Sequence, residues 1–185
     1  MSTLVHLTRE QLEAGLETIR LSPRDRGVLK MIVRRPRVGE RETLREGQLD
    51  LVEGLLGDSW IRRGSSRSPD GGPHPDMQLN VMNARAVALI AREEGRWALA
   101  GDQLYVDLDL SRDNLPPGAR LAIGDAVIEV SALPHTGCGK FVERFGVDAM
   151  KFVNGTIGRQ LNLRGINARV VQPGTIRVGD TVTKT

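Results

Sequence analysis

The only cysteine of the chain, Cys138, lies in the stretch Pro134-His135-Thr136-Gly137-Cys138-Gly139-Lys140-Phe141, with a histidine three positions before it and a lysine two after. A thiolate is both a nucleophile and a soft metal ligand, and a neighbouring cation lowers a thiol's pKa from roughly 8.5 toward neutrality. His135 and Lys140 are the cations this stretch offers. Most free cysteines are small buried hydrophobes set among apolar neighbours. This one stands between Gly137 and Gly139, which leave the backbone free to turn and uncover the sulfur. The stretch therefore reads as a reactive or metal-ligating thiol. A cysteine–histidine hydrolase would also need an orienting acid, and none is evident in the sequence. A zinc site would need more than one cysteine and three scattered histidines without ligand spacing.

A second group of candidates is cationic. Arg34, Arg35, Arg37 and Arg41 crowd eight positions interrupted by Pro36 and Gly39, which predicts a loop rather than a helix face. Such a loop is either simply solvated or forms a rim that binds anions.

The elements that must position these residues follow from length and pattern. A chain of 185 residues fits one domain, or one domain with a small appendage. Residues 1–26 are expected to form an N-terminal helical extension and residues 27–185 the main domain. Composition is 39% apolar and 26% charged, and no apolar run is long enough to span a bilayer, so no membrane partner is expected. The opening Met1-Ser2-Thr3-Leu4-Val5-His6 lacks the basic-then-apolar form of a secretory signal, and a lone cysteine suits a reducing cytoplasm. A net charge of +3 with only 3% aromatic residues leaves few stacking platforms for nucleic acid, and none is expected as a partner.

Thr8 and Gln11 form a capping box that starts a helix carrying Leu12, Leu16 and Ile19 on one face. Residues 28–33 are β-rich. Leu44, Leu51, Val52 and Leu55 fall at near-helical spacing and predict an amphipathic helix over 42–56, weakened by two internal glycines. Residues 64–76, rich in Ser, Pro, Gly and Asp, predict a surface loop, with His74 solvated inside it. A strand over 77–82 then leads to Asn83 as cap of a helix over 84–92. Beyond Trp97 the pattern turns to β: Leu104, Val106, Leu108 and Leu110 alternate with polar or aromatic positions. Residues 121–128 and 176–183 each read as two strands around a Gly-Asp turn, with another strand over 167–171. The fold class expected is mainly β with α additions, a closed antiparallel barrel with short peripheral helices. The cysteine stretch and a helical insertion over 141–161 would sit at its rim, where sites are commonly carried.

Several of these residues together resemble the MOSC domain family, named for the C-termini of molybdenum cofactor sulfurases. The resemblance rests on Leu133-Pro134-His135-Thr136-Gly137-Cys138, then Arg164-Gly165, Ala168-Arg169-Val170, Pro173-Gly174 and Ile176 with Gly179-Asp180. Earlier stretches agree: Arg35-Pro36, Gly39-Glu40-Arg41, Gly54-Leu55-Leu56-Gly57-Asp58 and Gly101-Asp102-Gln103-Leu104. The resemblance implies a MOSC-type β-barrel that binds the molybdenum cofactor (molybdopterin) or handles sulfur. The matching cysteine, Cys138, would carry sulfur as a persulfide or ligate molybdenum, with His135 beside it. Arg35, Arg41, Lys140 and Arg164 would meet the anionic parts of the cofactor. Two positions depart from the family pattern: Ser59 stands where a basic residue often follows Gly-Asp, with Arg62 or Arg63 as substitutes, and Gln103 stands where Asn is common. The chain has no room for a pyridoxal-phosphate desulfurase domain or a ferredoxin domain. A sulfurtransferase or molybdenum-dependent reductase of N-hydroxylated compounds would therefore need a separate cysteine desulfurase or electron-donor protein. The alternative is a non-catalytic, redox-sensing or regulatory module on the same barrel.

Overall fold

The computed structural model describes residues 6–185; residues 1–5, read above for a secretory signal, lie outside the described residues. Two short helices come first, α1 (Arg9–Ala14) and α2 (Leu16–Arg20). The capping box forms as expected, with the Thr8 hydroxyl accepting from the Gln11 amide and Gln11 Oε1 from the Thr8 amide. Strands β1 (Arg26–Arg34), β2 (Glu42–Leu44), β3 (Glu46–Asp50) and β4 (Gly54–Leu55) follow. After the long loop, β5 (Leu79–Asn83) runs directly into α3 (Ala84–Ala91), whose first amides are capped by the Asn83 side chain. Then come β6 (Leu104–Asp107), β7 (Arg120–Ile123) and β8 (Ala126–Pro134). Helices α4 (Gly139–Asn154), interrupted at Gly146, and α5 (Thr156–Gln160) precede β9 (Ile166–Gln172), β10 (Gly174–Arg177) and β11 (Thr181–Lys184).

Seven strands close into a barrel in the order β1-β11-β7-β8-β9-β5-β6 and back to β1. One edge of β1 is shared: residues 26–28 pair with β11 and residues 32–34 with β2. All neighbours are antiparallel except β5 and β6, which run parallel. A parallel pair needs a crossover, and α3 with the 3-10 stretch Glu94–Ala100 provides it.

Strand alternation separates two apolar layers. Leu29, Ile32, Val81, Leu104, Val106 and Ile128 fill the barrel. Met31, Val33, Met82 and Tyr105 point outward and pack against Leu12, Ile19, Val87, Ile90, Phe141 and Phe145 of the helices. The alternation read over 104–110 is thus correct, with Leu104, Val106, Leu108 and Leu110 inside and Tyr105 on the helical side. The helical layer fixes the start of α4, and with it Cys138.

Two expectations are corrected. Residues 42–56 form β2, β3 and β4 rather than a helix. β3 buries Gly47 and Leu49 while exposing Glu46 and Gln48, the period of a strand. The Asp50 carboxylate accepts from the Val52 and Glu53 amides, and Gly54 takes φ +72°, which turns the chain back into β4. Leu51 and Val52, which suggested a helical face, are exposed on that turn. Second, residues 176–183 do not form a hairpin: β10 pairs with β3, which also pairs with β4, in a separate three-stranded sheet, while β11 joins the barrel. The Asp180 carboxylate accepts from the Arg177 amide at 2.6 Å and shapes the turn between the two sheets. No helix among the described residues is long and apolar enough to cross a membrane.

Candidate functional site

Cys138 occupies the position before α4 with an extended backbone, φ −126° and ψ 179°. Its carbonyl accepts from the Phe141 and Val142 amides at 2.9 and 3.2 Å, while its thiol makes no capping bond and is exposed. Asn154, at the far end of α4, pins the preceding turn: its Oδ1 accepts from the Gly137 amide at 3.0 Å and its Nδ2 donates to the Gly137 carbonyl at 3.3 Å. The two flanking glycines differ in what they do. A Cβ at Gly137 would come within 2.6 Å of Met150 Sδ, whereas one at Gly139 would meet nothing. Only the first is demanded by packing.

The thiol opens into a cavity of about 270 Å³. The structure brings together there all six residues singled out from the sequence: Arg35, Arg41, His135, Cys138, Lys140 and Arg164. Arg37, Arg63 and Arg144 add further positive charge to its walls, and no carboxylate lines it. Arg63 takes the place open at Ser59, while Arg62 turns away to the Pro36 carbonyl. Arg34 also leaves the group, because its Nε donates to Glu42 on β2.

Beneath this cationic lining, two buried ion pairs hold the frame. Arg35, just past β1, forks onto Asp58 with both contacts at 2.9 Å, and its remaining donors reach Asn80 Oδ1 and the Gly101 carbonyl. Asp102, just before β6, is fully buried and accepts from Arg164 at 2.7 Å. Its other oxygen lies 3.0 Å from Nε2 of His135, the residue that follows β8. Burial opposes the charge on both carboxylates, yet Arg35 at Asp58, and Arg164 with His135 at Asp102, outweigh it and hold both below the usual range. The His135 pKa is lowered too, but for an imidazole that favours the neutral form. Burial and then the Arg164 charge push its pKa down against the pull of Asp102, leaving a neutral ring whose Nε2–H donates to the carboxylate.

Arg41 and Arg144 are different, because neither has a carboxylate partner among the described residues. Arg41 Nε donates to the Ala98 carbonyl and Arg144 Nη1 to the Leu99 carbonyl, which anchors both side chains and leaves their charge uncompensated. Burial, then repulsion from Arg144 and Arg35, lowers the Arg41 pKa. A site with this surplus of charge favours an anion with several negative groups. The sequence reading missed Asp102 as a member and Arg144 altogether. Asp102 stood within the motif Gly101-Asp102-Gln103-Leu104, but Arg144 carried no signal beyond a charged position on a helix.

The directions of these shifts predict a pH dependence. His135 has a depressed folded pKa, so it remains neutral where the unfolded chain binds a proton; stability is complete above about 6.5 and falls as pH drops below it. Asp58 and Asp102 are depressed as well, so their contribution is present above about 3.8 and is lost as pH falls further. Thermal denaturation between pH 8 and pH 3 should show both stages, and His135→Gln should remove the first. A melting temperature that stays flat from pH 7 to pH 5 would contradict the neutral buried imidazole.

The family model of the MOSC domain matches residues 71–183, a span that includes Asp102, His135, Cys138, Lys140, Arg144 and Arg164. No curated protein sequence matches the chain. Among solved structures, the YuaD protein from Bacillus subtilis superposes with a TM-score of 0.62 at 14% identity, over 85% of this chain and 94% of that one. YiiM from Escherichia coli gives 0.55 at 21% identity, over 85% and 69%. YiiM from Geobacillus stearothermophilus gives 0.52 at 15%, over 86% and 73%. At these identities the likeness is one of fold.

Proposed function

The chain belongs to the MOSC domain family, and from that membership we propose that its cationic cavity binds the molybdenum cofactor, with Cys138 as the sulfur presented to it. One observation carries this reading: the chain's only cysteine exposes its thiol in a cavity whose walls hold seven cationic side chains and no carboxylate. The residues fit such a group in two further respects. Arg164 Nε is buried without a hydrogen-bond partner, a donor left over after Asp102 and the Ala100 carbonyl are satisfied. Thiolate sulfur is also the soft donor that molybdenum chemistry uses.

When bound, the cofactor supplies two-electron redox and atom-transfer chemistry at its metal. The chain's own residues bind and orient it. Arg41 and Arg144, held by backbone carbonyls and free of carboxylates, would pair with phosphate and oxo groups, with Lys140 at the mouth. Arg35 and His135 lie on the same walls but are engaged by Asp58 and Asp102, so they shape the cavity more than they neutralise its guest. The sulfur of Cys138 has two uses within this reading. It would hold the metal in a reductase of N-hydroxylated compounds, served by a separate electron-donor protein. Alternatively its thiolate attacks the outer sulfur of a desulfurase persulfide, forming a new S–S bond as the donor's S–S bond breaks and the donor leaves as thiolate.

Arg41→Ala tests the binding half. It removes an uncompensated guanidinium from the wall, and cofactor retention should weaken by about tenfold to a hundredfold. Arg177→Ala, which breaks an exposed pair with Glu46 outside the cavity, serves as control and should retain the cofactor fully. Equal retention by the two variants would remove the cavity from the account and favour the non-catalytic module.

A further inference from the structure

We infer that the chain carries a second binding site, adjoining the Cys138 cavity and sharing His135 and Arg164 with it, for a small organic carboxylate with a short apolar body. Two hollows adjoin each other and share Arg112, Pro134, His135 and Asn162. The larger, of about 200 Å³, is walled by Leu115, Pro117, Val130, Leu133 and Ile166. The smaller, of about 90 Å³, is walled by Arg112, Arg159 and Thr136 as well as Arg164. Neither is lined by a carboxylate. One end of the combined trough is therefore apolar and the other cationic.

Arg164 is paired with Asp102, but the other two cations at that end, Arg112 and Arg159, are not spent on the protein's own acids among the described residues. The Arg112 guanidinium has no partner among the described residues, although the Arg112 backbone amide is fixed by the Gln160 carbonyl. Arg159 Nε donates to the Asn154 carbonyl, which orients its side chain without neutralising it. In the apolar hollow the Ser131 hydroxyl is buried without a hydrogen-bond partner, so these walls are not fully satisfied by the protein itself. A carboxylate between Arg112 and Arg159 with its chain along Leu115, Val130 and Ile166 answers both halves of the trough. A bare phosphate or sulfate answers only one. Arg112 and Arg159 do not line the Cys138 cavity, so this proposal can fail or stand without the cofactor reading.

The test uses the full chain with butanoate, hexanoate and inorganic phosphate, followed by backbone-amide chemical shifts in NMR. Shifts should concentrate at Arg112, Ser131 and Asn162, with affinity rising about fourfold per added methylene from butanoate to hexanoate. Arg112→Ala, at an exposed side chain, should weaken both carboxylates by roughly fivefold while preserving the chain-length gain. Arg41→Ala should leave hexanoate binding unchanged, because Arg41 lines the Cys138 cavity and neither of these two hollows. Equal affinity for butanoate and hexanoate would overturn the proposal, as would phosphate binding as tightly as hexanoate. Shifts confined to residues around Cys138 would overturn it too.

Discussion

Replacing Cys138 by serine is expected to reduce both sulfur transfer and N-hydroxyl reduction to background while leaving the fold as stable as the parent. The separation is possible because of where the residue stands. Its carbonyl, not its thiol, accepts from the first amides of α4, and the thiol is exposed. Serine is a favoured residue at a helix N-cap, so its hydroxyl can add a capping bond that the thiol does not make. Stability should therefore hold or rise slightly, by up to about 1 kcal/mol. Chemistry should not survive, since a serine oxygen forms no stable persulfide and is a poor soft ligand. Denaturation and activity measured on the same preparation decide the matter. A Cys138→Ser protein with parental activity in both assays would show that the thiol is not part of the chemistry.

Asp102→Ala is expected to produce the largest loss of stability, about 3–5 kcal/mol. Asp102 is fully buried and answers both Arg164 at 2.7 Å and His135 at 3.0 Å. Removing it strands the Arg164 guanidinium, 8% exposed, with only the Ala100 carbonyl and the Phe141 ring face at 5.1 Å to compensate. The contacts join the segments before β6, after β8 and before β9, so their loss should loosen the walls of the cavity as well. Chemical denaturation of Asp102→Ala beside the parent measures the effect. A loss below about 1 kcal/mol would place this pair among ordinary surface bridges.

What the sequence disclosed was mostly local. The Thr8 capping box, the Asn83 cap and the alternation from Leu104 to Leu110 depend on neighbours a few positions away, and each formed as expected. The cysteine stretch was legible for the same reason, because residue types and glycines within eight positions define it. Long-range pairing was less so. Leu51 and Val52 mimic a helical face, yet the Asp50 turn and the pairing of β3 with β10, more than a hundred residues on, decide that segment. The Gly179-Asp180 turn looked like a hairpin but divides two sheets, and only the partners of β10 and β11 reveal it. Asp102 meets His135 and Arg164 across 33 and 62 residues, separations at which no spacing rule operates. Arg144 sits on a helix whose charged positions resemble any solvated face until the fold turns this one toward Cys138.

The most direct test of the account is the molybdenum and pterin content of the parent chain purified from cells competent in cofactor synthesis. Metal analysis and fluorescence of the oxidised pterin should find the two in equal proportion, bound to folded protein and released together when Arg41 is replaced by Ala. Parent protein that is folded, made in such cells and free of both molybdenum and pterin would contradict it.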